Sequence, residues 1–267
     1  MNHLLAFYSR AARIAIIELF QYPMAQYFYM IGMLTEPIVY LVVWSTVANA
    51  QGGQVNGYTP GAFAAYYIIW TLVRNMNIVL TPFAWESRIQ RGRLNEELLR
   101  PRHPMHNDLA FFIGWKVVAI TLWLPIAAFL IWFFQPAIAP QGYHILIFCA
   151  AIWGGFALRF MLLWGLGLIT FWTTRVSGIF ELYFTVELLF SGRLVPMALM
   201  PTWAQQVAAY LPFKWAFGYP IEVLLGQMSL TDALAGLGMQ ALWTGLGLGV
   251  VMLLWRSATR KFSAVGN

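Results

Sequence analysis

Charged residues are scarce in this sequence. Asp, Glu, Lys and Arg make up 10 % of 267 residues, against roughly a quarter in a soluble domain. That deficit excludes an ordinary water-facing globular surface. Cysteine is rarer still: Cys149 is alone and sits inside an apolar run, so no disulfide can close within the chain. Of the three lysines, Lys116, Lys214 and Lys261, none follows a glycine. A Walker-type phosphate loop needs Gly-Lys to wrap a nucleotide, so this chain is not expected to be an ATPase of that kind. Neither G-x-S-x-G, nor H-E-x-x-H, nor the paired acids of intramembrane proteases occurs. His103 and His106 have an i,i+3 spacing but flank Pro104 with no third ligand nearby, so no metal site is expected. The reading is therefore a chain with no catalytic residues, no metal and no cofactor of its own.

What is abundant is apolar. Hydrophobic residues reach 60 % and aromatics 17 %, with a mean hydropathy of +0.66. A membrane-crossing helix needs about 20 mainly apolar residues. Six runs qualify: Met24–Ala48, Pro60–Trp85, Leu109–Phe134, Ile145–Trp172, Val176–Ser191 and Asp232–Trp255. The fold class expected is an all-α integral membrane protein in one domain, residues 1–267.

Basic residues orient it. Arg10 and Arg13 precede the first run, and Arg88, Arg91, Arg93, Arg100 and Arg102 lie between the second and third. Arg175 separates the fourth and fifth, and Arg256, Arg260 and Lys261 follow the sixth. The other side has only Arg193 and Lys214. The positive-inside rule then places both termini in the cytoplasm of a plasma or inner membrane. The net charge of +6 is explained by these borders, so nucleic acid is not an expected partner.

Ahead of the first run, residues 3–20 read as an interfacial helix. Leu4, Phe7, Ala11 and Ile14 share one face, and His3, Arg10 and Arg13 another. The stretch "ANAQ" (Ala48–Gln51) resembles a signal-peptidase site. The run before it is of full spanning length and contains Glu36, so it reads as a retained span. Between the fifth and sixth runs, residues 192–227 hold Pro196, Pro201, Pro212 and Pro220, too closely spaced for one crossing helix. Two short helices are expected instead, Thr202–Leu211 with an apolar face of Trp203, Val207 and Tyr210, and another from Trp215 to Gly226. Irregular backbone at membrane depth has to be buried in protein or line water, which marks this segment, with Phe213 beside Pro212, as a candidate outer gate.

Glu36, Arg74, Arg159, Glu181 and Glu187 are charged residues that fall inside the runs. Glu36 and Glu187 lie about twelve and eleven residues from the inner ends of their runs. Arg74 and Arg159 lie about fourteen from the outer ends. At about 1.5 Å per residue the four converge in depth, so the expected pairs are Glu187 with Arg159 and Glu36 with Arg74. Such pairs either lock helices together or line a polar cavity that touches substrate. Glycines at 154, 155, 165, 167, 245, 247 and 249 put small residues on helix faces, for packing inside the chain or between subunits.

One stretch breaks the scarcity of charge. From Glu86 to Asp108 stand 9 of the chain's 26 charged residues. Within it, "NEELLRP" reads as a short helix. Asn95 caps it, Glu96 and Glu97 occupy the positive first turn, Arg100 the negative last turn, and Pro101 stops it. Leu94, Leu98 and Leu99 would be apolar knobs fit for a partner's groove. An ordinary positive-inside loop, residues 86–108, is the plainer alternative.

Those features together resemble the ABC-2 type permeases, the membrane subunits of ATP-binding-cassette exporters. The likeness rests on the leading helix, six runs with both ends inside, "GRLNEELLRPRHP" (Gly92–Pro104), and "SGRLVPMALMPTWAQQVAAYLPFKWAFGYPIEVLLG" (Ser191–Gly226). The small branch it resembles often pairs with a second permease, related or identical. The resemblance implies two cytoplasmic ATPase subunits that hold ATP and Mg and dock on the short helix, Leu94 to Arg100. It also implies first and fifth spans meeting across a dimer, and outer half-helices around Pro196, Pro201, Trp203, Pro212 and Phe213 closing the exit. An ion-coupled secondary transporter using the intramembrane Glu residues is the alternative from another class, though no inverted repeat is visible. The aromatic-rich spans suit apolar or cationic ligands and lipid headgroups alike. Drugs, lipid-linked molecules and peptides stay unranked.

Overall fold

The computed structural model describes residues 2–173 and 176–261. Arg175 and the side chain of His3, both used in the sequence reading, lie outside that description. The described residues form twelve α-helices and two 3₁₀ turns joined by loops, with no strand among them. They are α1 (Asn2–Phe20), α2 (Pro23–Ala50), α3 (Pro60–Met76), α4 (Thr81–Gln90), α5 (Arg93–Leu98) and α6 (Met105–Phe134). There follow α7 (Gly142–Gly167), α8 (Ser177–Phe190), α9 (Thr202–Tyr210), α10 (Pro212–Ala216), α11 (Gly218–Leu224) and α12 (Leu230–Lys261).

Among the described residues five helical stretches are long and apolar enough to cross a membrane: Met24–Ala50, Pro60–Ile89, Met105–Phe134, Gly142–Phe171 and Leu230–Lys261. The run expected as a fifth span forms α8, a helix of 14 residues. At 1.5 Å per residue that is about 21 Å, short of a hydrocarbon core of about 30 Å.

The centre of the molecule is α3. It is hydrophobic on nearly every side, as a helix enclosed by others must be, and Phe63, Tyr66, Tyr67, Trp70 and Val73 are all buried. Its neighbours are α2, α6, α7 and α11. Tyr66 and Tyr67 donate hydrogen bonds to the carbonyls of Gly192 (2.7 Å) and Leu194 (3.2 Å), which ties the 192–227 segment onto this core. Along α7 runs α12, and α10 crosses α7 where Gly155 leaves room. A Cβ at Gly155 would stand 2.7 Å from the Ala216 carbonyl oxygen, so this glycine is required by close approach. Gly245 and Gly249, by contrast, face open space within this chain.

Several expectations need correction. The second run is not one helix. It breaks at 77–80, because Pro82 has no N–H for the Ile78 carbonyl and its ring would clash there. The helix expected from Trp215 to Gly226 is two, α10 and α11, kinked at Phe217 (φ −119°, ψ −66°). The expected short helix Thr202–Leu211 forms as α9, which packs into the chain through Ala204 and Ala208 and leaves the apolar face of Trp203, Val207 and Tyr210 exposed. Nothing here overturns the expected leading helix: α1 lies against α6, with Ala15 buried in that contact and Leu4 and Ile14 exposed. Gly114 of α6 makes that contact close, since a Cβ there would meet the Ala12 carbonyl at 2.8 Å.

Candidate functional site

Breaking a helix deep inside a chain frees backbone carbonyls, and away from water each needs a new partner. The break between α3 and α4 frees those of Asn77 and Ile78. Arg159 of α7 donates through a terminal guanidinium nitrogen to the Asn77 oxygen. Lys116 of α6 donates through Nζ to the Ile78 oxygen at 2.7 Å. Two buried side chains thus stand in for the helical N–H groups lost at the break, Lys116 for the one that Pro82 lacks and Arg159 for the one due to Asn77. Asn77 Nδ2 in turn donates to the Ala216 carbonyl at 2.8 Å.

The same Arg159 reaches α8 with its other face. Its Nε and second terminal nitrogen grip both oxygens of Glu187, each at 2.8 Å. Glu187 is 1 % exposed, so a charge-assisted, two-pronged bond is the arrangement that makes its burial tolerable. Arg193 adds a third contact to this carboxylate at 3.3 Å, and the Tyr183 hydroxyl a fourth at 3.4 Å. Both guanidiniums also lie over the Phe217 ring, 5.3 Å and 5.1 Å from its centroid. Burial pushes the Arg193 guanidinium below its ordinary value; Glu187 opposes that shift and the neighbouring Arg159 and Arg74 charges reinforce it. The second pair, Arg74 with Glu36, is 2.8 Å apart and about one-third exposed. Glu181 lies on an exposed face of α8 and joins neither pair.

Between these groups is a cavity of about 160 Å³, lined by Arg74, Asn77, Arg159 and Arg193 and walled by Ile78, Val79, Leu80, Phe184 and Phe217. Lys116 and Arg193 are the members that sequence reasoning missed. Lys116 lies within the third apolar run, and that position alone was the available signal. Arg193 was assigned to the outer loop, and no spacing rule connects it to Glu187.

The charged stretch holds a second site. The short helix is α5, but its cap is Gly92, in the left-handed region at φ 68°. Asn95 lies inside it, and Arg100 falls beyond the end at Leu98. The leucines are not equivalent. Leu94 is 0 % exposed and packs with Trp85 and Phe112, whereas Leu99 is 87 % exposed and Leu98 partly so. Glu96 stays in the first turn, while Glu97 turns inward to Arg88 at 3.3 Å. Arg88 also pairs with Asp108 at the start of α6, with one contact of 2.8 Å, and Asp108 accepts from the Trp164 indole at 3.0 Å. Burial raises the Glu97 carboxyl above its usual value, with Arg88 opposing. This network binds α5 to the bundle from beneath and leaves its other face bare.

His106 is engaged by the Tyr8 hydroxyl at 2.6 Å, and His103 packs at a tilt against Trp255, ring centroids 4.5 Å apart. Among the described residues no group of His, Cys, Asp and Glu could hold a metal ion. In the 192–227 segment, Pro212 and Phe213 are buried while Trp203 is exposed. A second cavity, of about 270 Å³, lies there beside the Lys214–Glu222 pair, which is 3.8 Å apart.

Compared with known proteins, residues 34–266 match the family model described as ABC-2 family transporter protein. No curated protein matches the chain.

Proposed function

The chain belongs to the ABC-2 family of transporter proteins; it is thus a multi-pass membrane permease that works with an ATPase subunit, and we propose that it exports its substrate with the energy of ATP hydrolysed on that partner. In this reading two ATPase subunits, each holding ATP and Mg, dock on the bare side of α5 and its C-cap, at Leu98 and Leu99. A second permease, a copy or a relative, completes the path. Both termini and α5 are cytoplasmic, α1 lies in the inner interface, and α8 makes a sixth crossing by drawing the bilayer thinner around it. The segment 192–227, with Pro196, Pro201, Trp203, Pro212 and Phe213, then closes the outer exit.

The observation that carries the proposal is the two-sidedness of α5. A helix of six residues cannot hold itself together in water, so its order depends on Leu94 and on the Arg88–Glu97 contact, which supports an element made to present its free face. Replacing Leu99 with Asp tests this. The variant should insert normally, lose copurification with the ATPase, and lose ATP-driven transport. Retention of both would reduce α5 to a positive-inside loop.

A further inference from the structure

The charge cluster at the helix break is not neutral. Three guanidiniums, Arg74, Arg159 and Arg193, line one cavity. Among the described residues two carboxylates answer them, Glu36 on Arg74 and Glu187 shared by Arg159 and Arg193. Neither carboxylate lines the cavity, so its polar wall is three cations and the Asn77 amide. Arg193 Nε is buried without a hydrogen-bond partner, and so is Asn77 Oδ1. Lys116 donates to a neutral carbonyl and supplies no anion. A surplus positive charge held among apolar walls is costly unless an anion visits it.

The remaining walls say what that anion is attached to. Ile78, Val79, Phe184 and Phe217 are apolar, and Leu80 at the rim is 58 % exposed with Phe83 one turn away, also exposed. An acidic head entering between the arginines would leave an apolar body running out over Leu80 and Phe83. Guanidiniums suit that head because they meet carboxylate and phosphate oxygens in pairs.

We propose that this cavity binds the acidic head of the transported molecule, and that the substrate class is an amphiphile with a singly charged oxyanion, carboxylate or phosphodiester, on an apolar body. This inference rests on the permease reading. It is tested without ATP, so its failure is distinct from a failure of ATPase docking.

The probe is radiolabelled oleate, added to the gently solubilised assembly, with oleyl alcohol and oleylamine as head-group controls. Oleate should bind saturably and the two controls at least tenfold more weakly. Arg193→Gln should weaken oleate binding about tenfold or more, the loss of one charge-assisted contact, while Arg193→Lys should retain most of it. Competition then separates the sources. Displacement by acetate or inorganic phosphate means that the head is taken from water. Displacement only by phosphatidylglycerol means that it is taken from the bilayer. Equal binding of oleate and oleyl alcohol, which needs no variant, would overturn the proposal, as would an Arg193→Gln protein that binds oleate like the parent.

Discussion

Take away the Glu187 carboxylate and the structure specifies who is left exposed to the loss. Arg159 would keep its bond to the Asn77 carbonyl but lose both oxygens at 2.8 Å, and Arg193 would lose its one acidic partner. Removing one member of a buried ion pair typically costs about 3–5 kcal/mol, because the other charge stays buried and uncompensated. For a chain of this size that corresponds to a midpoint lower by roughly 6–20 °C. The assay is thermal unfolding of the detergent-solubilised protein, read as loss of monodisperse material. Glu187→Leu should show the full fall. The double variant Glu187→Leu with Arg159→Met should recover a good part of it, since matched apolar replacement of a buried pair is often close to neutral. Recovery should be incomplete, because the Asn77 carbonyl then loses its donor and Arg193 its acid. A single variant as stable as the parent would refute the argument, and so would a double variant no better than the single.

Three further expectations use the same measurement. Leu94→Asp should abolish folding or lower the midpoint severely, by burying a carboxylate where exposure is 0 %, whereas Leu99→Asp should move it by less than about 0.5 kcal/mol. Gly155→Ala should cost about 1–3 kcal/mol, because its Cβ would press on the Ala216 carbonyl rather than on a movable side chain. Burial lowers the His103 imidazole, with the nearby His106 adding to the effect. Its contribution to stability is therefore intact above the ordinary histidine value, about 6.5, and is lost as pH falls from there through the lowered native value. A midpoint followed from pH 8 to pH 5 should drop more in the parent than in His103→Gln, and equal slopes would refute this.

How far the sequence could be read depends on the range of the force involved. Apolar length is additive over a run, so the long helices were legible from hydropathy alone. The Arg159–Glu187 and Arg74–Glu36 contacts were legible because a charge in an apolar run needs a partner at its own depth. The break at 77–80 escaped because averaging over a window hides one proline, although Pro82 acts on the single carbonyl four residues before it. Asn95 was read as a cap from its residue type. The burial of Leu94 fixes the start of α5 three residues earlier than that cap requires, with Gly92 supplying the left-handed turn. Which leucine faces inward depends on Trp85 and Phe112, and no local pattern carries that information.

The position of α4 has a mechanical consequence. At one end it carries Arg88, pinned to α5 through Glu97 and to α6 through Asp108. At the other it starts at the break whose carbonyls Arg159 and Lys116 hold. Its 10 residues make a rod of about 15 Å with a joint above it and a clasp below. A displacement of α5 along that rod has to be absorbed at the joint, and the joint is one wall of the arginine-lined cavity.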